Sequence, residues 1–296
     1  MDVVTVQEAT GQDTLAREAR SGPRGRLLEG NGLRWLLLPP AAVLLVMLAV
    51  PVGMLLDTGL SNGGVFGEVL GDEVFQGAAV RTLVMSVVVT VCAVALGTLY
   101  ALGVWAAPRW AAGVLLGALF LTLWTSVLVR SFAWVLLDLP TGALYWVLNS
   151  LGLRDTPLAV YQTSAAAYPA MVHVMLPYVV LPVHVAIGKL DDRLIKAARV
   201  FGARPLLVAR KVVLPQLRPA MISGGVLVFI MSLGFYVTPL MLGSPQDLTV
   251  AGYIDQMFNG ADQAEAAAAM SVILLAAVVV IYLAADRIFR VSERWE

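Results

Sequence analysis

Cysteine is nearly absent. The one present, Cys92, sits in an apolar run, so no internal disulfide can form, and a small buried core residue is its ordinary reading. Charge is also scarce: 14% of the 296 residues are Asp, Glu, Lys or Arg, where a soluble domain carries about 25%. There are only two histidines, His173 and His184. Eleven residues of helix put them about 16 Å apart along the axis, too far to share a zinc whose nitrogen ligands lie near ~2 Å. They read as polar groups at helix–helix contacts, and no metal site is expected. HExxH and GxSxG are both missing, which removes the usual hydrolase constellations. No GxxxxGK[ST] phosphate loop occurs either, so any ATP and Mg chemistry must belong to another chain, and no cofactor is expected on this one. Residues 1–34 are polar and charged, without the short apolar core and small-residue cleavage site of a signal peptide.

What the chain has instead is hydrocarbon. Hydrophobic residues make up 59% of it and the mean hydropathy is +0.82. A helix needs roughly 20 apolar residues to cross about 30 Å of bilayer, and six stretches qualify: Leu36–Leu56, Thr82–Val104, Ala112–Leu137, Ala165–Ile187, Met221–Leu242 and Ala266–Ala285. Each reads as a helix, since lipid cannot satisfy an open sheet edge or loop. The expected fold is therefore all-α, with six spans over 35–289 between a tail at 1–34 and a tail at 290–296. Pro39, Pro40 and Pro51 in the first span, and Pro177 and Pro182 in the fourth, predict kinks or irregular turns. The connection Trp105–Ala111 is short enough to make the second and third spans antiparallel neighbours. The longer connection 138–164 contains "YWVLNSLGL", whose helical spacing suggests an interfacial helix.

The basic residues are unevenly placed. Seventeen of the 20 fall in the N-terminal tail (Arg17, Arg20, Arg24, Arg26, Arg34), the second-to-third connection (Arg109), the fourth-to-fifth connection and the C-terminal tail (Arg287, Arg290, Arg294). The positive-inside rule then puts both termini in the cytoplasm.

The fourth-to-fifth connection, 189–219, is the conspicuous one. Its core, "IKAARVFGARPLLVARKVVLP" at 195–215, carries Lys196, Arg199, Arg204, Arg210 and Lys211 and no acid. Leu190, Leu194, Ala197, Ala198 and Phe201 fall on one face of a helix. Asp191 and Asp192 suit its start, and Gly202 suits its stop. Pro205 suits the first turn of a second helix, which "LP" at 214–215 would end, leaving Pro219 to open the fifth span. Two uses compete: an amphipathic helix lying on anionic headgroups, or an element that docks in a partner's groove. The Gly-Ala turn and second proline-capped helix favour docking.

This stretch resembles the "EAA" loop of ABC importer permeases. There EAA is followed after three residues by Gly, and nine residues later by an aliphatic, any residue, then Leu-Pro. Ala197, Ala198, Gly202, Val212, Leu214 and Pro215 keep that spacing, while Lys196 stands where the family has Glu. "VRSFAW" (129–134), "GALYWVLNSLGL" (142–153), "YPAMVHVMLPYVVLPVHVAIGKLD" (168–191) and "LGFYVTPLMLGSP" (233–245) are similar to spermidine/putrescine-type permeases. Relatives carrying iron, thiamine or opines share much of the pattern. The resemblance implies the type I permease fold and an ATP-driven importer that works by alternating access and makes or breaks no bond itself. Its implied partners are ABC ATPase subunits carrying the ATP, a second homologous permease and an external solute-binding protein. It also implies that Leu194, Lys196, Ala197, Ala198, Phe201, Gly202, Ala203, Leu214 and Pro215 form the coupling helix region seated in the ATPase.

For the solute path the candidates are Arg130, Trp134, Asp138, Tyr178, Phe235 and Tyr236. Arg130 is the clear charge deep in a span. It reads either as a structural group that snorkels or pairs with Asp138, or as a gate. A stand-alone secondary transporter is the outside reading, and it normally places paired ionisable groups near the midplane. Outside the membrane the expected loops hold Asp57, Glu68, Asp72, Glu73, Asp138, Asp155, Asp247, Asp255, Asp262 and Glu265. Such a field would steer a cationic solute inward, or the acids meet bases on the binding protein, or are simply solvated. With the resemblance, a polyamine is the first choice. Gly224, Gly225, Ser232 and Gly234 are expected to let the fifth span approach its neighbours closely.

Overall fold

A computed structural model describes residues 32–60, 63–244, 246, 248–260 and 263–293. Arg17, Arg20, Arg24, Arg26, Asp247, Asp262 and Arg294 lie outside the described residues. The chain divides into two units, 1–57 and 58–296. Helix α1 (Gly32–Leu60) begins in the first unit and runs unbroken through Pro39, Pro40 and Pro51. Its side chains from Leu38 to Pro51 are exposed. Spanning helices tolerate proline where neighbouring groups, ordered water or small local adjustments re-satisfy the carbonyls it leaves free.

The rest of the second unit is helical, with no strand among the described residues: α2 (Gly63–Gly71), α3 (Glu73–Ala106), α4 (Arg109–Trp124), α5 (Val127–Asp138), α6 (Ala143–Ser150), α7 (Ser164–Ile187), α8 (Asp192–Val200), α9 (Pro205–Val208), a π-helical turn (Ala209–Val213), α10 (Leu214–Leu233), α11 (Val237–Leu242), α12 (Val250–Phe258) and α13 (Ala264–Glu293). Among the described residues five runs are long and apolar enough to cross a membrane: Leu38–Leu60, Glu73–Ala106, Ser164–Ile187, Pro205–Leu233 and Ala264–Ile288. The sixth exists only as the pair α4–α5, bent by 107°.

Three expectations therefore need correction. The third span is not one straight helix: it breaks at Thr125–Ser126, where Thr125 Oγ1 and N both donate to the Leu121 carbonyl, at 2.7 and 3.0 Å. Hydroxyl side chains that bond the backbone compete with helix continuation. The fifth span does not reach Leu242. It stops at Leu233, and after Gly234–Tyr236 the short α11 begins. Pro239 disfavours continuation, because in an unbroken helix its ring would meet the Phe235 carbonyl, and Gly234 at the break is a poor helix former. Finally, Leu214-Pro215 does not end a helix. The π-helical turn bonds Leu214 N to Ala209 O, and this wider turn carries the chain past Pro215, so α9 and α10 form one 29-residue run.

At the centre α3, α7 and α10 pack on one another. Met171, Met175, Val179, Val183, Val89, Leu217 and Val228 are fully or almost fully buried there. Small residues set the spacing. A Cβ on Gly224 would lie 3.1 Å from Val179 Cα and 3.2 Å from the Tyr178 carbonyl, and one on Gly225 would lie 3.1 Å from Val94 Cγ2. Gly97, which sequence reading passed over, is tighter still, 2.9 Å from Val179 Cβ. Gly234 has nothing within 4 Å and so plays no packing role. The α3–α4 neighbours are antiparallel as the short connection demanded, and Tyr100 Oη donates to Leu115 O at 2.6 Å.

At the end of α3 that begins the helix, Asp72 does two jobs. Oδ1 accepts from Val74 N at 2.9 Å, capping α3, and Oδ2 accepts from the Tyr253 phenol on α12 at 2.8 Å. Burial, then the hydrogen bond and charge of Asp72, push that phenol up to about 12. Thr82 Oγ1 accepts from Val250 N at 2.8 Å, and Arg81 Nε donates to Leu248 O at 3.2 Å. The segment entering α12 is thus fixed to α3.

Candidate functional site

The loop between α7 and α10 is built by local rules. Asp191 caps α8, its Oδ1 accepting from Arg193 N at 2.8 Å. Gly202 ends it with φ +76°. Gly202 N donates to Arg199 O at 2.9 Å, and Ala203 N to Ala198 O at 3.1 Å. This is the paired-bond stop that only a left-handed residue supports without strain. Pro205 then opens α9 with Arg204 before it.

Packing divides the expected apolar face in two. Ile195, Val208, Val213 and Leu217 are buried in the main core, with Leu190, Ala198, Ala203 and Val212 packed against it. Leu194 and Ala197 point away. Phe201, Val200 and Leu206 are 89%, 84% and 81% exposed. Val200 and Leu206 were not among the sequence candidates; their only signal was their position flanking the turn. Lys196 is exposed beside them. Leu214 and Pro215 are half-buried, inside the continuous run rather than at a helix end. The result is an apolar knuckle around Gly202, rimmed by Lys196, Arg199 and Arg204, on a rigid mount.

The path candidates separate as well. Arg130, on α5, is 7% exposed, and its Nε and Nη1 have no hydrogen-bond partner. Asp138, at the other end of α5, is buried with Oδ2 unpartnered. No ion pair joins them among the described residues, which removes the pairing of Arg130 with Asp138. Trp134 Nε1 donates to His173 Nδ1 on α7 at 3.2 Å, with ring centroids 6.1 Å apart. Tyr178 and His173 both lie within electrostatic reach of Arg130. Ser131 and Thr238 hydroxyls, 2.8 Å apart, tie α5 to α11, so the two broken spans meet at one end of the bundle. Phe235 packs against the main core, whereas Tyr236 lines a different cleft between α10, α12 and α13.

A profile of the family described as "Binding-protein-dependent transport system inner membrane component" matches residues 99–295. The spermidine/putrescine transport system permease protein PotB of Escherichia coli (strain K12) is 29% identical over 221 residues, 73% of this chain and 80% of that protein. The inner membrane ABC transporter permease protein YdcU of the same strain is 31% identical over 180 residues, 56% of each chain. Among solved structures, a chain of a bacterial alginate ABC transporter in complex with alginate pentasaccharide-bound periplasmic protein superposes with a TM-score of 0.70 at 18% identity, covering 87% of this chain and 93% of that one. A chain of the inward-facing MetNI methionine ABC transporter superposes at 0.55 and 18% identity, covering 74% and 98%. These relatives are transport subunits rather than enzymes, and the solved ones share the all-helical permease fold. With the profile spanning well over half the sequence, this chain is a multi-pass permease subunit of an ABC importer and belongs to the family of binding-protein-dependent transport system inner membrane components.

Proposed function

We propose that this permease passes a polyamine, such as spermidine or putrescine, across the bacterial inner membrane, driven through the α8–α9 knuckle by partner ATPases. The observation that carries the drive is the exposed Phe201, Val200 and Leu206 on a mount buried through Ile195, Val208 and Val213. An apolar tip of this kind stays in water only at a cost of roughly 25 cal/mol per Å², so it fits a groove on a partner. Its basic rim complements an acidic or neutral groove edge. The ATP and Mg sit on that partner. The continuous Pro205–Leu233 run, about 43 Å long, makes the knuckle a lever on the core.

The basic residues of the loop and tails support a cytoplasmic position for the knuckle and both termini. The opposite end, with α5, α11 and α12, then faces the external binding protein, and a second homologous permease completes the path. The polyamine assignment is supported by the PotB relatives and by the acids expected outside other than Asp138, which is buried. Uptake by vesicles holding the permease pair, the ATPases and the cognate binding protein tests it. ATP-dependent spermidine accumulation, inhibited by putrescine, is expected. Transport of an anion or neutral sugar without polyamine competition refutes the solute while leaving the importer standing.

A further inference from the structure

Tyr236 has surroundings unlike those of the other aromatic path candidates. It lines an open cleft of about 650 Å³ with Met231, Asp255, Phe258 and Ser271, and the remaining lining residues are apolar. That volume lies in the usual range for small-molecule sites. Asp255 is the one charged side chain in the lining. Asn259 Nδ2 donates to its backbone carbonyl, at 2.8 Å, and not to its carboxylate, which has no hydrogen bond or ion pair to a described residue. Ser271 Oγ already donates to Ala267 O at 2.7 Å, so it has lone pairs to offer but not its proton.

A solute entering the cleft meets a carboxylate, a hydroxyl acceptor and two aromatic rings, and the Tyr236 hydroxyl is the one side-chain donor left free. An anion needs donors and is repelled by an unpaired carboxylate; a sugar hydroxyl can donate to it, but a neutral sugar leaves its charge uncompensated, which an ammonium does not. An alkylammonium needs acceptors and π faces, and both are present. Trp134 and Tyr178 offer no comparable site. Tyr178, and the His173 that Trp134 bonds, lie within electrostatic reach of the Arg130 guanidinium, buried with Nε and Nη1 unpartnered, and a cation there would be repelled. Charge thus selects one half of the aromatic set. We infer that the cleft between α10, α12 and α13 is a binding site for an ammonium group of the transported solute, with Asp255 as counter-ion and Tyr236 and Phe258 as aromatic walls. This rests on the organic-cation reading above.

The test uses the purified full transporter without binding protein, with labelled spermidine binding measured directly, alongside uptake in vesicles with binding protein. Asp255→Asn keeps shape and removes charge. Spermidine binding is expected to weaken about ten- to a hundredfold, with Asp255→Glu recovering most of it. Phe258→Leu, at an exposed side chain that folding does not need, should weaken binding about two- to fivefold. If wild type transports spermidine and Asp255→Asn and Phe258→Leu bind it as wild type does, the site is overturned and the polyamine reading stands. If wild type neither binds nor transports spermidine or putrescine, that reading falls and takes the site with it.

Discussion

Replacing Gly202 with valine attacks the knuckle where its geometry is most constrained. The glycine holds φ at +76°, and a Cβ built on it meets nothing within 4 Å. The cost of Gly202→Val is therefore conformational rather than steric with neighbours, on the order of 1–2 kcal/mol for a residue with a Cβ and more for a β-branched one. What opposes it are the two bonds from Gly202 N and Ala203 N, at 2.9 and 3.1 Å, each contributing about 0.5–1.5 kcal/mol net. Strain and bonds are of one size, so the turn goes from well formed to partly open. A change of about 1.4 kcal/mol is tenfold in population. Phe201 precedes the turn and Leu206 follows it, so an opened turn splits the apolar tip.

The assay is binding-protein-stimulated ATPase activity of the reconstituted transporter, with insertion and complex recovery checked by size exclusion. Gly202→Val is expected to lower stimulation severalfold while the permease still inserts, because Ile195, Val208 and Val213 keep their burial. Gly202→Asn tolerates the left-handed region better and should fall between the two. Full stimulation with valine in place would refute the coupling role of the turn.

Lys196→Glu restores the family's acid at the first motif position; with a basic rim matched to an acidic groove edge, it should weaken recovery of the ATPase at low salt and lose the difference at high salt, because exposed pairs contribute about 0–1 kcal/mol and are screened. Gly224→Ala forces a methyl against backbone of α7, at 3.1 and 3.2 Å, and should cost about 1–3 kcal/mol, read as a lower melting temperature in detergent. Gly234→Ala, with open space around it, should leave that temperature unchanged. Tyr253, its phenol raised from an ordinary 10.0 to about 12, holds its proton longer when folded. Its stabilising effect is complete below pH ~10 and is lost as pH rises through the folded value, so Tyr253→Phe should lack part of the wild-type decline over that window.

Much of this was legible in sequence because it depends on local chemistry. Asp191, Gly202 and Pro205 mark start, stop and restart by capping rules that act over a few residues, and each is found in its expected role. Hydropathy located the spans because lipid demands long apolar runs whatever their packing. It could not see the α4–α5 bend, since Thr125 and Ser126 barely lower a window average although they divert hydrogen bonds. Pro215 misled in the other direction: a proline reads as a stop, but a π turn just before it absorbs the missing donor. Helical periodicity put Leu194 and Ala198 on one face, and only tertiary packing, with Ile195 as the anchor, separates them. Asp255 and Phe258 stand three residues apart on one face of α12, but Tyr236 comes from a separate stretch, and nothing local announces that it shares their cleft.

One helix run connects the two regions for which a function is proposed. α9 carries Leu206 at the knuckle and continues through the π turn into α10. α10 ends at Leu233, one residue before Gly234 and three before Tyr236, both at the cleft. On the proposed reading a displacement of the knuckle must travel along this run, because α8 and α9 are mounted on the same core that α10 crosses. Gly224 and Gly225, midway, set α10 against α7 and α3 with almost no slack, so the middle acts as a fulcrum rather than a cushion. Packed interiors switch between arrangements rather than deform smoothly. On that reading the break at Gly234–Tyr236 is the compliant joint: it lets the Ser131–Thr238 contact and the cleft that Tyr236 lines with Asp255 shift while the α3–α7–α10 core keeps its contacts.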